Sequence, residues 1–331
     1  MIGIINYCFD VDYLLKKNYI PSLVQNLQAG KKVAGPFNIH SREFKVAWID
    51  SLDSVPEIVV LGSSRTLNLR ENSFSGKTFF NASVTNCTFN DMMSFLWLFE
   101  EKGKLPNEII ICIDQWLLGN VFHENKWKVL SSEYLKMAEK IGYSDKTKEN
   151  YYWNLKKEYL TNLFSTRYLF RTLQYWNKKE HFISSDTIMP DKMMFFSDGS
   201  RKIPDYVEYK SESDISESAE KYFYEDGSEY FKVLDEQRKI QLEKILTYLD
   251  YQNCKVMLFI PPYHHETYKL IAQSEKTAGV IAVDNYIRNL ADKYNNVTVI
   301  GATNPFEIGL NENDFYDGVH LKTETVNILF K

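Results

Sequence analysis

Five short apolar runs, at 58–61, 78–80, 109–113, 256–260 and 297–300, constrain what this chain can fold into more than any other feature. Each is three to five residues long, rich in Val, Ile, Leu or Phe, and bounded by turn residues such as Gly, Pro, Asn or Asp. Runs that are apolar on both faces read as strands of a parallel sheet, because such strands are buried from both sides. Helical spacing falls between most of them, over about 90–102, 235–251 and 278–294. That alternation predicts right-handed crossovers and a doubly wound α/β sheet covered by helices on both faces.

More than a hundred residues separate the third run from the fourth. Over 127–179 aromatics recur at helical spacing, through Tyr134, Tyr151, Trp153, Tyr159, Phe164, Tyr168, Phe170 and Trp176. The stretch 184–229 is richer in Ser, Asp, Gly and Pro and reads as long loops, which in a compact domain are functional or mobile. The segment at about 115–240 is therefore expected to be a helical insertion capping the C-terminal edge of the sheet. Aromatics make up 15% of the chain; core is their first reading, with sugar stacking or a partner surface as the second. Residues 1–50, with Lys16-Lys17, Lys31-Lys32 and Pro21, read as an arm packed outside the sheet, which leaves 51–331 as the main domain.

Charge and cysteine usage remove several classes of function. A net charge of −5 argues against non-specific nucleic-acid binding, which draws its affinity from cations on phosphates. Cys8, Cys87, Cys112 and Cys254 form no CxxC pair and no His/Cys cluster, so neither a thiolate metal site nor a cofactor is expected. No apolar stretch reaches the roughly 20 residues that span a bilayer. Residues 1–5 are apolar but too short for a signal peptide; they read as the stub of a membrane anchor or as an ordinary N-terminal turn.

Two motifs carry the chemistry. Gly62-Ser63-Ser64-Arg65 closes the first run, and ligands of an open α/β sheet bind beyond the C-terminal ends of its strands. A serine there is exposed, and its N–H, at an expected helix start, can stabilise an oxyanion. The same serines also suit a plain helix N-cap. Asp317-Gly318-Val319-His320 follows the last run, with a spacing that lets both side chains present on one turn; alone it also fits an Asx turn with a surface histidine. Together a serine of the first motif, His320 and Asp317 supply nucleophile, base and orienting carboxylate, which a weakly nucleophilic hydroxyl requires. Tyr263 and His264, after the fourth run, are candidate substrate contacts. Arg65 either binds an anionic group or pairs with Asp114. Asp198-Gly199-Ser200-Arg201 reads as a turn first and a lid contact second.

These blocks resemble the SGNH (GDSL-like) hydrolase superfamily, and specifically its cell-envelope branch, which includes the teichoic-acid D-alanine transfer protein and alginate-type O-acetylation proteins. Gly62-Ser63-Ser64 matches the first block and makes Ser64 the implied nucleophile; Asp317 and His320 match the last. The second block, Asn-x-Gly-x-x-Gly, aligns onto Asn81-Ala82-Ser83-Val84-Thr85-Asn86 with Ser83 in place of a glycine. The resemblance implies that the N–H groups of Ser64 and Ser83 form the oxyanion hole, with Asn81 at the site. The third block's asparagine is missing, since that strand ends Ile113-Asp114-Gln115-Trp116. The match covers roughly 55–120 and 253–331 and leaves the insertion unassigned.

The resemblance implies a flavodoxin-like three-layer sandwich with a five-stranded parallel sheet. It also implies serine-dependent acyl transfer onto a bacterial envelope polysaccharide or teichoic acid, with no metal. The setting would be extracytoplasmic, with an N-terminal anchor helix before Met1 and a membrane-bound O-acyltransferase as partner. Asn6-Tyr7 and Asp10 are similar to the segment that follows that anchor. Water as acceptor would instead make an esterase. The missing asparagine and Ser83 also fit a catalytically degenerate polysaccharide-binding or scaffold member.

Overall fold

The structure, a computed structural model, describes residues 1–37, 39–103, 105–144 and 151–331. Nine strands are described: β1 Lys32–Gly35, β2 Ile58–Leu61, β3 Phe79–Asn81, β4 Glu108–Cys112, β5 Ile183–Ser185, β6 Met193–Phe195, β7 Arg201–Lys202, β8 Lys255–Ile260 and β9 Val297–Gly301. β2, β3, β4, β8 and β9 fall within a residue of the five apolar runs. They form one parallel sheet in the order β3-β2-β4-β8-β9, with Val59 opposite both Phe80 and Ile109, and Val256 opposite Ile109 and Val297. This is the doubly wound, flavodoxin-like order, in which the sequence of strands reverses at the crevice between β2 and β4.

The strands feed both faces by alternation. Val59, Leu61, Ile109, Ile111, Leu258 and Ile260 join the larger core, whereas Ile58, Val60, Ile110, Cys112 and Phe259 join the smaller one on the other face. The Phe89–Glu101 helix is apolar almost all round and is buried accordingly, with Met92, Met93, Phe95, Leu96 and Phe99 fully covered. Thr88 starts it through a capping box with Asp91, and Asp91 also binds Arg42 at 2.6 Å, which ties the Ser41–Asp50 helix alongside. The Glu236–Tyr251 and Ala278–Ala291 helices complete the predicted crossovers.

Three expectations are corrected. No α-helix follows β2; residues 64–68 form successive turns leading to a short 3-10 turn at Glu71–Ser73. The Asn81 side chain donates to the carbonyls of Thr66 and Leu69, at 2.7 and 2.9 Å, and so claims acceptors that a helix would use. The insertion is not wholly helical either. Besides helices such as Ser131–Lys140, Thr166–Tyr175 and Glu212–Glu225, it carries a four-stranded antiparallel sheet in the order β5-β1-β6-β7. Its β1 comes from the first fifty residues, so that arm is built into the fold, and Phe44, Trp48 and Ile49 lie in the main core. The part of the 127–179 stretch at 145–150 lies outside the described residues. The aromatics of that stretch divide: Tyr134 and Tyr168 are buried, while Trp153, Phe164, Phe170 and Trp176 are exposed.

The turn between β6 and β7 docks on the edge of the main sheet. Gly199 has φ +80, and a Cβ there would stand 2.5 Å from the Asn81 carbonyl, so only glycine fits. The Asn81 N–H donates to Asp198 O at 2.7 Å, and the buried Lys45 ammonium reaches both Asn81 O and Gly199 O at 2.5 Å. The 198–201 segment is thus a turn, and its pinned backbone makes one fixed wall beside the sheet's C-terminal edge.

Candidate active site

Ser64 stands beyond the C-terminal end of β2, at the switch point. Gly62 allows this approach: a Cβ there would lie 2.4 Å from Thr66 Oγ1 and 2.6 Å from Cys112 Cβ. The histidine arrives from the loop after β9, which folds back through a bridge between Phe315 and Leu321 and a Tyr316 N–H to His320 O bond of 3.1 Å. Asp317 organises that loop, since its Oδ1 accepts the N–H groups of Val319 and His320 at 2.9 and 2.8 Å.

The three side chains meet. His320 Nδ1 lies 2.8 Å from Asp317 Oδ2, and His320 Nε2 lies 2.8 Å from Ser64 Oγ. An ionised Asp317 accepts only, so Nδ1 carries the proton and Nε2 is left to receive the serine's. Burial works to raise the Asp317 pKa, but the His320 imidazole and the two N–H groups outweigh it and hold the carboxyl below its usual range. The Tyr316 ring stacks on the imidazole and fixes its plane.

A cleft of about 560 Å³ opens over the pair. Ser64, Arg65, Asp114 and His320 line its sheet side, Trp116 and Phe122 an aromatic wall, and Ser218, Lys221, Tyr222 and Glu225 the opposite wall, from the insertion's Glu212–Glu225 helix. The insertion therefore borders the site, as expected of a cap on this edge. Among the described residues, no group of His, Cys, Asp and Glu side chains is arranged to hold a metal ion.

Not every expected contact is there. The Ser83 N–H donates to Asn81 Oδ1 at 2.9 Å and its hydroxyl pairs with Thr66 Oγ1 at 2.9 Å, so Ser83 is not a spare oxyanion donor. Asn81 is fully buried and holds the turn after β2 rather than a substrate. Tyr263 is buried beneath Arg65, with its ring 4.4 Å from the guanidinium, and its hydroxyl binds Glu229. His264 is buried too, and its Nδ1 caps the His265–Gln273 helix by accepting the Glu266 N–H at 3.2 Å. Neither lines the cleft. Arg65 and Asp114 do, and they form the expected ion pair, Nε to Oδ1 at 3.3 Å.

Sequence reasoning missed Asn86, Trp116, Phe122 and Tyr222 in the lining, and Glu229 beneath it. Asn86 left a readable signal: it aligns with the second glycine of the Asn-x-Gly-x-x-Gly block and adopts φ +52, which glycine prefers and Asn tolerates. Glu229 left none. It accepts from Tyr222 Oη at 3.0 Å and sits 4.0 Å from Arg65 Nη2. Burial pushes its carboxyl up to about 7, against the opposing pull of Arg65 and the two tyrosine hydroxyls.

No family model and no curated protein matches the chain.

Proposed function

We propose that this protein is a serine-dependent acyl-transfer enzyme of the SGNH type, with Ser64 as nucleophile, His320 as base and Asp317 as the orienting carboxylate. The observation that carries the reading is the unbroken chain from Ser64 Oγ through His320 to Asp317, with 2.8 Å at each link. In the reaction, Ser64 Oγ attacks an ester or thioester carbonyl and passes its proton to Nε2. The leaving alkoxide or thiolate takes that proton, and the acyl group rests on Ser64. A second hydroxyl, deprotonated by His320, then accepts it.

The acceptor we favour is a sugar or polyol hydroxyl of an envelope polysaccharide or teichoic acid, working outside the bacterial membrane with an anchored chain and a membrane-bound O-acyltransferase that supplies acyl groups. The cleft's size and the Trp116–Phe122 wall suit a sugar ring; the setting and the partner rest on the motif resemblance. With water as acceptor, the same groups would make an esterase. The engaged Ser83 amide favours one rival, a degenerate polysaccharide-binding scaffold.

A serine-directed fluorophosphonate separates these readings. Labelling of wild type but not of Ser64→Ala supports the enzyme; no labelling of folded wild type favours the scaffold. Comparing hydrolysis of an activated ester with transfer to an added sugar then distinguishes esterase from transferase.

A further inference from the structure

The Glu212–Glu225 helix of the insertion walls the cleft and also touches the loop that carries the base. We propose that Ala219 of that helix is a positioning residue for the Asp317–His320 turn, so that His320 meets Ser64 only while the insertion is docked. The inference rests on Ser64 and His320 being the nucleophile and base of an acyl transfer.

Gly318 lies between Asp317 and His320 in the chain and is buried. A Cβ there would stand 2.9 Å from Ala219 Cα, 2.8 Å from Thr267 Oγ1 and 3.2 Å from Tyr222 Cβ. Its backbone is not left-handed, so the neighbours demand glycine and the chain's own conformation does not. Ala219 and Tyr222 both belong to the insertion's helix, and Ala219 is fully buried. Thr267, equally buried, donates from its hydroxyl to Ala219 O at 3.2 Å, which ties that helix to the His265–Gln273 helix beside the contact. From the N-cap of this second helix, the His264 N–H donates to Gly318 O at 3.0 Å. Gly318 is thus held by a hydrogen bond from the segment after β8 and by close packing on the insertion.

The turn is built as a unit. Asp317 Oδ1 accepts the Val319 and His320 N–H groups and Oδ2 lies 2.8 Å from His320 Nδ1, so a displaced Gly318 carries both side chains with it. The link to the nucleophile is a single contact, His320 Nε2 to Ser64 Oγ at 2.8 Å. A shift of about 1 Å at such a contact can cost about 100-fold in rate. Close-packed backbones do not yield by small steps, so the place where Ala219 stops Gly318 sets where Nε2 stands. Ser218, Lys221, Tyr222 and Glu225 reach the cleft from the same helix, which therefore fixes the far wall and the base relative to each other.

The test measures kcat and KM on p-nitrophenyl acetate, and the pH dependence of kcat, for Gly318→Ala, Ala219→Gly and Ser64→Ala, with folding checked by circular dichroism. Gly318→Ala should lower kcat about 10- to 100-fold with little change in KM. The rising limb of its pH profile should stay where wild type has it, because the Asp317–His320 contact lies inside the turn. Near-wild-type kcat in folded Gly318→Ala, beside an inactive Ser64→Ala, overturns the positioning role alone. So does a lower kcat with a displaced limb, which would mean that the turn itself had come apart. An active Ser64→Ala overturns the nucleophile assignment beneath it. Should Gly318→Ala not fold, Ala219→Gly decides, since it keeps every catalytic group and loosens the helix at the contact. It should lower kcat about 5-fold at unchanged KM, and a wild-type kcat there overturns the proposal.

Discussion

Tyr316 and His320 stack ring on ring, with centroids 5.2 Å apart and planes 7° from parallel. Tyr316 is nearly buried, so the imidazole rests on a fixed surface while Asp317 holds its Nδ1 edge. An imidazolium formed when Ser64 gives up its proton would lie over the π face, where a cation is stabilised. Tyr316→Phe should therefore keep most activity, whereas Tyr316→Leu should lower kcat about 3- to 30-fold, the kinetic equivalent of a cation–π contact. Steady-state kinetics on an activated ester checks both. Equal losses in the two variants would point to the hydroxyl instead of the ring.

Asp317→Asn should cost about 10⁴-fold in kcat, because an amide can favour the wrong imidazole tautomer. The same carboxylate is a pH-dependent element of stability. Its folded pKa is depressed, so its contribution is present above the ordinary carboxylate range and is lost as the pH falls through the folded value. The melting-temperature gap between wild type and Asp317→Asn should be widest near neutrality and close below about pH 4. A gap that is constant with pH would contradict the assignment.

Lys45 gives a pH dependence of the same sign in a higher window. Burial drives its ammonium down to about 7, against the pull of Asp198. Above that value the folded amine is neutral while the unfolded one stays protonated, up to its ordinary value of 10.5. The unfolded state then holds the extra proton, and this group makes stability rise with pH between those limits. Lys45→Met should remove that slope in melting scans from pH 7 to about 9. It should also cost about 1–3 kcal/mol by leaving the Asn81 and Gly199 carbonyls without their donor.

Glu229 titrates in the complementary sense. Its folded value of about 7 lies above the ordinary 4.5, so the stabilisation it gives is complete below 4.5 and is lost as the pH rises through 7. Glu229→Gln carries no such titration. The variant should gain in melting temperature relative to wild type between about pH 5 and 8, and the difference should level off on either side. A flat difference across that window would show that the carboxyl is ionised throughout.

Much of the architecture was legible because it is local. Strand runs such as Ile109–Ile113 announce themselves by unbroken apolarity, and the Phe89–Glu101 helix by its spacing. The Asp317–His320 pair needs only one turn of backbone. Its partner Ser64 lies 256 positions away, yet both follow parallel strands of one sheet, and such strands deliver their C-terminal ends to a common edge.

What stayed hidden depends on contacts no sequence window contains. The place of β1 between β5 and β6 joins segments about 150 residues apart, through backbone bonds that carry no residue signature. Whether the Ser83 amide was free depended on which way the Asn81 side chain turned, and the partners of Arg65 come from three separate stretches of chain. Apolar periodicity is written residue by residue and sets the sheet and its active edge. The pairing of buried polar groups is settled only when distant segments close on one another and each donor takes the acceptor within reach.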